Sequence, residues 1–360
     1  MQTTTQPLPP FSCTYSPNIP ELLMQLQCTL AISTYQAGKV IFISPKDHEY
    51  LVQLPRTFDK AMGITLKDSK MAIATKDEVI VLANSPGLAT FYPKQPNTYD
   101  GLFMPRATYY TGQIDIHDLD YGDDGALYAV NTSFSCLIKI DDDYNFRPIW
   151  QPPFITDLAS EDRCHLNGMA MQGGKPKYVS AFNQGNTQQS WREVITTDGI
   201  IMDIDSNELV AQNLAMPHSP RLFNGKLYVL LSATGELIQL DQQTGNYVVV
   251  NKVDGFVRGL AKYGDYVFVG LSRLRKNSST FAKLTIADKA LQAGIAIFHL
   301  PTGAFIGDIK YQSSVDEIYD VQVIPNMIRP GIMNTLKPDH KLGLSIPEST
   351  YWARVSDEAH

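Results

Sequence analysis

The feature that most constrains this chain is a repeat. A short apolar segment, a turn rich in Gly, Asp, Asn and Ser, and a second alternating segment recur along it. The turns are Asp68-Ser69 after Met62-Gly63-Ile64-Thr65-Leu66, Gly122-Asp123-Asp124-Gly125 after Ile116-His117-Asp118-Leu119, and Gly173-Gly174 after Asn167-Gly168-Met169-Ala170-Met171. Asn224-Gly225 follows Ser219-Pro220-Arg221-Leu222-Phe223, and Gly264-Asp265 follows Arg258-Gly259-Leu260-Ala261. A further copy opens at Tyr319-Asp320-Val321-Gln322-Val323, which makes six. Period-2 alternation bounded by such residues reads as paired strands. Self-similarity at a spacing of roughly 40 to 60 residues means a propeller or a solenoid, and units made of strands select the propeller.

The two chain ends decide the number of blades. Segments 30–35, 39–44 and 50–54 look like three strands lacking an innermost one, and 320–324 looks like an innermost strand lacking partners. Joined, they complete one blade and leave no open edge in the ring. The expected fold is therefore all-β, a six-bladed β-propeller of four-stranded blades closed by N- and C-terminal strands sharing one blade. The other blades fall at 61–110, 116–150, 167–215, 219–251 and 257–310. Residues 1–20 are expected to form a flexible arm, 21–325 the propeller, and 326–360 a tail packed on it, with a short helix near 20–27. Insertions at 183–193 and 273–293 break the spacing, the second with a helical pattern over 282–291.

A chain of 360 residues is long for one ordinary domain but suits one closed propeller. Its net charge of −7, with no basic run, argues against nucleic acid and against an anionic membrane surface. Cys13, Cys28, Cys136 and Cys164 show no CxxC spacing, so reduced thiols are expected. The polar start lacks the apolar core of a signal peptide, and no apolar stretch nears the roughly 20 residues that span a bilayer. A cytoplasmic protein is the expectation.

In a propeller the innermost strands run the same way, so their first residues ring one mouth of the central channel. The loops between second and third strands return to that face. Met62, His117, Asn167, Ser219, Arg258 and Tyr319 are thereby gathered there, with His165, His218 and Glu317 beside them and Trp191, Arg192, Glu236 and Arg273 on the loops. Of the seven histidines, three fall at this register in consecutive blades, at offsets 0, −2 and −1. Three imidazoles from separate strands suit a divalent metal (zinc, iron or manganese), with Asp118 or Glu317 orienting a ring from behind. The alternative is that each histidine hydrogen-bonds a neighbouring inner strand. Arg221, Arg258, Arg273 and Arg192 suit a carboxylate or phosphate; alternatively Arg221 and Arg258 pair with Asp118, Glu236, Glu317 or Asp320 between blades. Tyr319, Asp118 and Glu317 are the candidates to move a proton, and Asn167 and Trp191 to contact a ligand. Signatures for nucleotide loops, serine hydrolases and zinc proteases are absent.

The blocks Ile116-His117-Asp118-Leu119, Cys164-His165-Leu166-Asn167-Gly168, Trp191-Arg192-Glu193, Met216-Pro217-His218-Ser219-Pro220-Arg221, Thr234-Gly235-Glu236-Leu237 and Gly270-Leu271-Ser272-Arg273 resemble a family of conserved, largely uncharacterised bacterial proteins predicted to be β-propellers. The resemblance runs over about residues 12–355 and implies the fold and the face, with no activity attached. At fold level the arrangement is similar to peptidyl-amidating lyase, a propeller whose zinc is held by three histidines; fold alone does not carry function. Two readings follow for the mouth. One is a metal-dependent enzyme (lyase, isomerase or hydrolase) acting on an anionic small molecule or peptide carboxylate. The other is a non-catalytic propeller binding a peptide or partner protein there.

Overall fold

The computed structural model describes residues 7–274, 281, 284 and 286–353. Six antiparallel sheets of four or five strands form a six-bladed β-propeller. The innermost strands, numbered here as blades 1 to 6, are Ile64–Lys67, Ile116–Tyr121, Gly168–Gln172, Pro217–Phe223, Phe256–Tyr263 and Asp320–Pro325. Short hairpins set each register. In blade 4, Asn224 and Gly225 adopt φ of 52° and 76°, the left-handed pair that a two-residue turn between twisted strands requires. Blade 6 closes the ring. Asp320–Pro325 pairs with Cys28–Thr34, Ser33 facing Asp320 and Cys28 facing Pro325, with Lys39–Pro45 and Leu51–Thr57 outside them.

Buried side chains from facing sheets fill the wedges between blades. Phe42 of blade 6 meets Phe103 of blade 1 edge-on, centroids 5.9 Å apart. Truncating so buried a ring typically costs about 3–5 kcal/mol. Hydroxyls stitch the inner ends of neighbouring blades. Ser33 of blade 6 donates to the Met62 carbonyl leading into blade 1. Thr132 of blade 2 donates to the Leu166 carbonyl at 2.6 Å, Ser232 of blade 4 to Val257 at 2.6 Å, and Ser272 of blade 5 to Ile318 at 3.1 Å. Each removes one carbonyl from the set that would otherwise be buried unpaired.

The hub alternates two kinds of residue. Asp320, Asp118 and Ser219, from blades 6, 2 and 4, each accept a backbone N–H from the next blade: Ile64 at 2.9 Å, Met169 at 3.0 Å and Gly259 at 3.0 Å. Blades 1, 3 and 5 carry Gly63, Gly168 and Gly259 instead. A Cβ on Gly259 would lie 2.8 Å from the Asp320 Cα, and one on Gly168 2.5 Å from Pro220 Cδ. Glycine is what lets the strands approach there.

The structure alters several expectations. Cys13–Tyr15, inside the supposed arm, is a fifth strand on the outer edge of blade 5, pairing with Ala304–Tyr311. The helix near 20–27 runs Ile19–Leu26. Pro330–Ile332 adds a parallel edge strand to blade 1, and the hairpin Gly343–Ile346/Ser349–Trp352 follows, the Trp352 indole donating to the Leu88 carbonyl. The helix expected over 282–291 lies partly outside the described residues, and 286–289 are turns. Residues 1–6 and 354–360 of the expected arm and tail also lie outside them. No helix among the described residues is long and apolar enough to cross a membrane.

Blade 4 carries a register shift between His218 and Arg221, with Ser219 left-handed at φ 48°. Blade 5 has the same shift between Val257 and Leu260, with Gly259 left-handed at φ 80°, so His218, not Ser219, matches Arg258. Arg221 lies further along the strand, at the hub. There its guanidinium spans the hub to Asp118 with a two-pronged pair, Nη1 to Oδ2 at 2.7 Å and Nη2 to Oδ1 at 3.0 Å, and donates to the Met169 carbonyl at 2.9 Å. Arg221 and Asp118, expected as anion anchor and proton carrier, are thus the inter-blade pair of the alternative reading. Removing one member of such a pair typically costs about 3–5 kcal/mol, because the other stays buried and uncompensated.

Asp320 sits near the same pair. Burial pushes its carboxyl well above the usual carboxylate range, Arg221 opposes this, and the Asp118 charge reinforces it. The folded chain therefore holds a proton that the unfolded chain releases near pH 4. Stability from this group is present at acid pH and declines as pH rises from about 4 towards neutrality. His117 and His218 titrate in the opposite sense, so the test is a difference: between pH 4.5 and 8 the urea midpoint of the wild type should fall relative to that of Asp320→Asn. Identical slopes would show that Asp320 is ionised throughout.

Candidate functional site

With blade 4 re-registered, six residues lie one step above the hub: Met62, His117, Asn167, His218, Arg258 and Tyr319, each directly preceding the alternating Gly63, Asp118, Gly168, Ser219, Gly259 and Asp320. The equivalence of His117 and His218 shows in their bonds. Asp115 and Met216, two residues earlier, are both left-handed, at φ 56° and 58°. Their carbonyls accept the backbone N–H of Thr132 at 3.3 Å and of Ser232 at 3.0 Å, the corresponding second-strand residues. Over this ring opens a cavity of about 570 Å³.

The three imidazoles are held in one tautomer. His117 Nδ1 lies 3.1 Å from the Asp115 carbonyl, which can only accept, so Nδ1 carries the proton. His165 Nδ1 lies 3.0 Å from the Asp162 carboxylate, which also takes the Trp191 indole N–H at 3.0 Å. His218 Nδ1 lies 2.7 Å from Ser232 Oγ and 3.3 Å from the Met216 carbonyl. The Ser232 proton is already given to Val257, so His218 must donate. Among the described residues nothing bonds the three Nε2 atoms, and all three rings line the cavity. Burial, and after it the nearby Arg258 charge, pushes His117 and His218 well below their usual range. Both are neutral at pH 7, so Nε2 is a hydrogen-bond acceptor.

Arg258 and Tyr319 supply the donors. The guanidinium carbon stands 3.4 Å from the centre of the Tyr319 ring, a cation–π stack. Among the described residues its buried Nη2 has no hydrogen-bond partner, and neither has the Tyr319 hydroxyl. Burial pushes the Tyr319 phenol well above its usual value, so it stays protonated and acts as a donor. Aromatic rings complete the walls: Phe182 against His165 at 4.5 Å, Trp191 against His165 at 4.4 Å, and Phe256 against His218 at 6.0 Å.

Of the residues singled out from the sequence, His117, His165, His218, Trp191, Arg258, Arg273, Glu317 and Tyr319 line the cavity. Arg273 is over half exposed, 3.6 Å from Asp316. Asn167 accepts from Ser180 at 2.6 Å inside its own blade, and Arg192 stacks over Trp191 at 4.6 Å; neither lines the cavity. Tyr35, Asp115, Phe182 and Phe256 do, and were not anticipated. Tyr35 and Phe182 directly follow the second strands of blades 6 and 3, the same loop position that flagged Arg273 in blade 5, so a uniform pass over those loops would have found them.

The histidines meet in one cavity without meeting round one point. His117 and His165 touch edge to face at 4.9 Å, while the Phe182 ring packs on His165 and against His218 at 5.1 Å. Among the described residues no three His, Cys, Asp or Glu side chains form a group able to hold an ion. The three-histidine metal centre expected from the sequence is therefore not assembled in this arrangement.

Comparison with solved structures places the fold among known ones. A chain from "Crystal structure of Nidogen/Laminin Complex" aligns with a TM-score of 0.55 at 10% identity, over 83% of this chain and 99% of that one. A protein of unknown function from Bacteroides caccae aligns with a TM-score of 0.51 at 10% identity, over 82% and 98%. At such identity the likeness speaks to fold alone. No curated protein sequence matches. Residues 17–333 match the family described as "Domain of unknown function (DUF4915)", and with most of its length inside that match the chain belongs to this family.

Proposed function

We propose that the mouth cavity binds a small anionic molecule, with Arg258 as its anchor. The observation that carries this reading is the buried Nη2 of Arg258, which no hydrogen bond or ion pair satisfies among the described residues. Hub cations that serve the fold look different: Arg221 is matched by Asp118 on both prongs. An orphaned donor in a concave site weakens the free protein and is retained where a ligand completes it. The cavity volume lies within the range of small-molecule sites, and the aromatic walls exclude water from the anchor. Asp115 and Glu317 line the same cavity, so selectivity for the anion rests on the position of the guanidinium, not on net charge.

A second reading, a divalent metal on His117, His165 and His218, is supported by the Nδ1 donations alone, since metal-bound imidazoles carry such partners. It requires the rings to turn past Phe182. Metal content of untagged protein decides it: stoichiometric zinc, iron or manganese in the wild type and loss in His117→Ala favours the centre, whereas near-zero metal in both removes it.

The anchor is tested with Arg258→Met, which keeps the packing of the side-chain stem. The free variant should melt at or above the wild-type temperature, because an unpaired buried donor has gone. In a thermal-shift screen of small carboxylates and phosphates, compounds that stabilise the wild type should lose that effect in the variant. A ligand at a hundred times its Kd contributes about 2.7 kcal/mol, well within detection. A marked fall in the melting temperature of the free variant, with ligand shifts retained, would make Arg258 a structural residue.

A further inference from the structure

The donor and acceptor pattern of the cavity narrows the ligand further. Resting on the anion-binding reading above, we infer that the ligand is a polyhydroxylated carboxylate of the sugar-acid class, its carboxylate on Arg258 and Tyr319 and its hydroxyls donating to the Nε2 atoms of His117 and His218.

Three features lead there. The first is the fixed tautomer. His117 and His218 are neutral and commit Nδ1–H to a protein acceptor, so their Nε2 atoms present lone pairs to the cavity. A ligand that is only an anion would cover both acceptors without satisfying them and place its own charge near their lone pairs. Unmade bonds of this kind cost about 1–3 kcal/mol each. The ligand must therefore bring more than one donor. The second feature is the sign of those donors. The Arg258 guanidinium depresses the protonation of His117 and His218 and opposes an ammonium at their Nε2 atoms, whereas the Asp115 carboxylate stands at the other edge of His117, 3.6 Å from Nδ1. Uncharged hydroxyls remain. The third is the wall. Phe182 and Trp191 flank His165, so a polar edge and an apolar face are offered side by side. A pyranose ring has that division: hydroxyls round its rim and a C–H face to bury against aromatic carbon. A cavity of about 570 Å³ admits a monosaccharide acid with room for one substituent.

Isothermal titration at pH 7 with D-glucuronate, D-galacturonate and D-gluconate tests this, with D-glucose and cyclohexanecarboxylate as comparators. At least one sugar acid should bind ten-fold or more tightly than either comparator. Arg258→Met should abolish its advantage over glucose. His218→Phe, or His117→Phe where the first variant fails to fold, should weaken the sugar acid about ten-fold and leave cyclohexanecarboxylate unchanged. If cyclohexanecarboxylate binds as well as every sugar acid, the sugar-acid assignment is overturned while the anion site stands. If no carboxylate of the panel binds, both fall. Methyl β-D-glucuronoside separates the two sources: affinity equal to free glucuronate points to the end of an oligosaccharide, and loss of affinity points to the free acid.

Discussion

A propeller is only as sound as its closure, and here closure is the pairing of Asp320–Pro325 with Cys28–Thr34. Without it the last inner strand would present unpaired backbone groups on both sides, and the N-terminal strands would have no hub. The pairing joins segments nearly three hundred positions apart in sequence, so every other inter-blade contact is conditional on it. Ser33, opposite Asp320, takes part twice: it donates to the Met62 carbonyl and accepts the backbone N–H of Asp320. One hydroxyl thus ties the closing strand to the start of blade 1.

From closure follows the hub, and from the hub the site. Glycine in blades 1, 3 and 5 lets the inner strands come together, and acceptors in blades 6, 2 and 4 hold the N–H groups that approach exposes. The Arg221–Asp118 pair crosses this layer with both carboxylate oxygens and both terminal guanidinium nitrogens engaged. One residue higher the pattern is inverted. Arg258 Nη2 and the Tyr319 hydroxyl lack partners, and three imidazoles face the cavity with one nitrogen free. A satisfied layer lies directly beneath an unsatisfied one. Rigidity from the first is what lets the second hold its groups in position without a ligand.

Much of this was legible in the sequence for a physical reason. Strand alternation and turn chemistry are local, so the repeat showed both the blades and their order. The incomplete ends showed the closure, because a ring tolerates no unpaired edge. The mouth residues followed from direction alone, since parallel inner strands must begin on one face. What went astray in blade 4 was the count along one strand. Met62, Asn167 and Arg258 each stand six residues before their turns at Asp68, Gly173 and Gly264, and the residue six before Asn224 is His218, not Ser219. Blade 5 carries the same register shift, with Gly259 left-handed where blade 4 has Ser219. Whether a histidine ligates or accepts is set by Ser232, just past the next strand from His218, and by Phe182 packed on two of the rings, as well as by the local partner Asp162 of His165.

The account rests on two neutral imidazoles, His117 and His218, with protonated Nδ1 and open Nε2. Nitrogen-15 spectra of histidine-labelled protein, assigned with single His→Gln variants, report both properties directly. Both should show the Nδ1–H tautomer at pH 7 and keep it down to pH 5 without titrating. Nε2–H signals from these rings, or titration of His117 and His218 near pH 6.5, would contradict it.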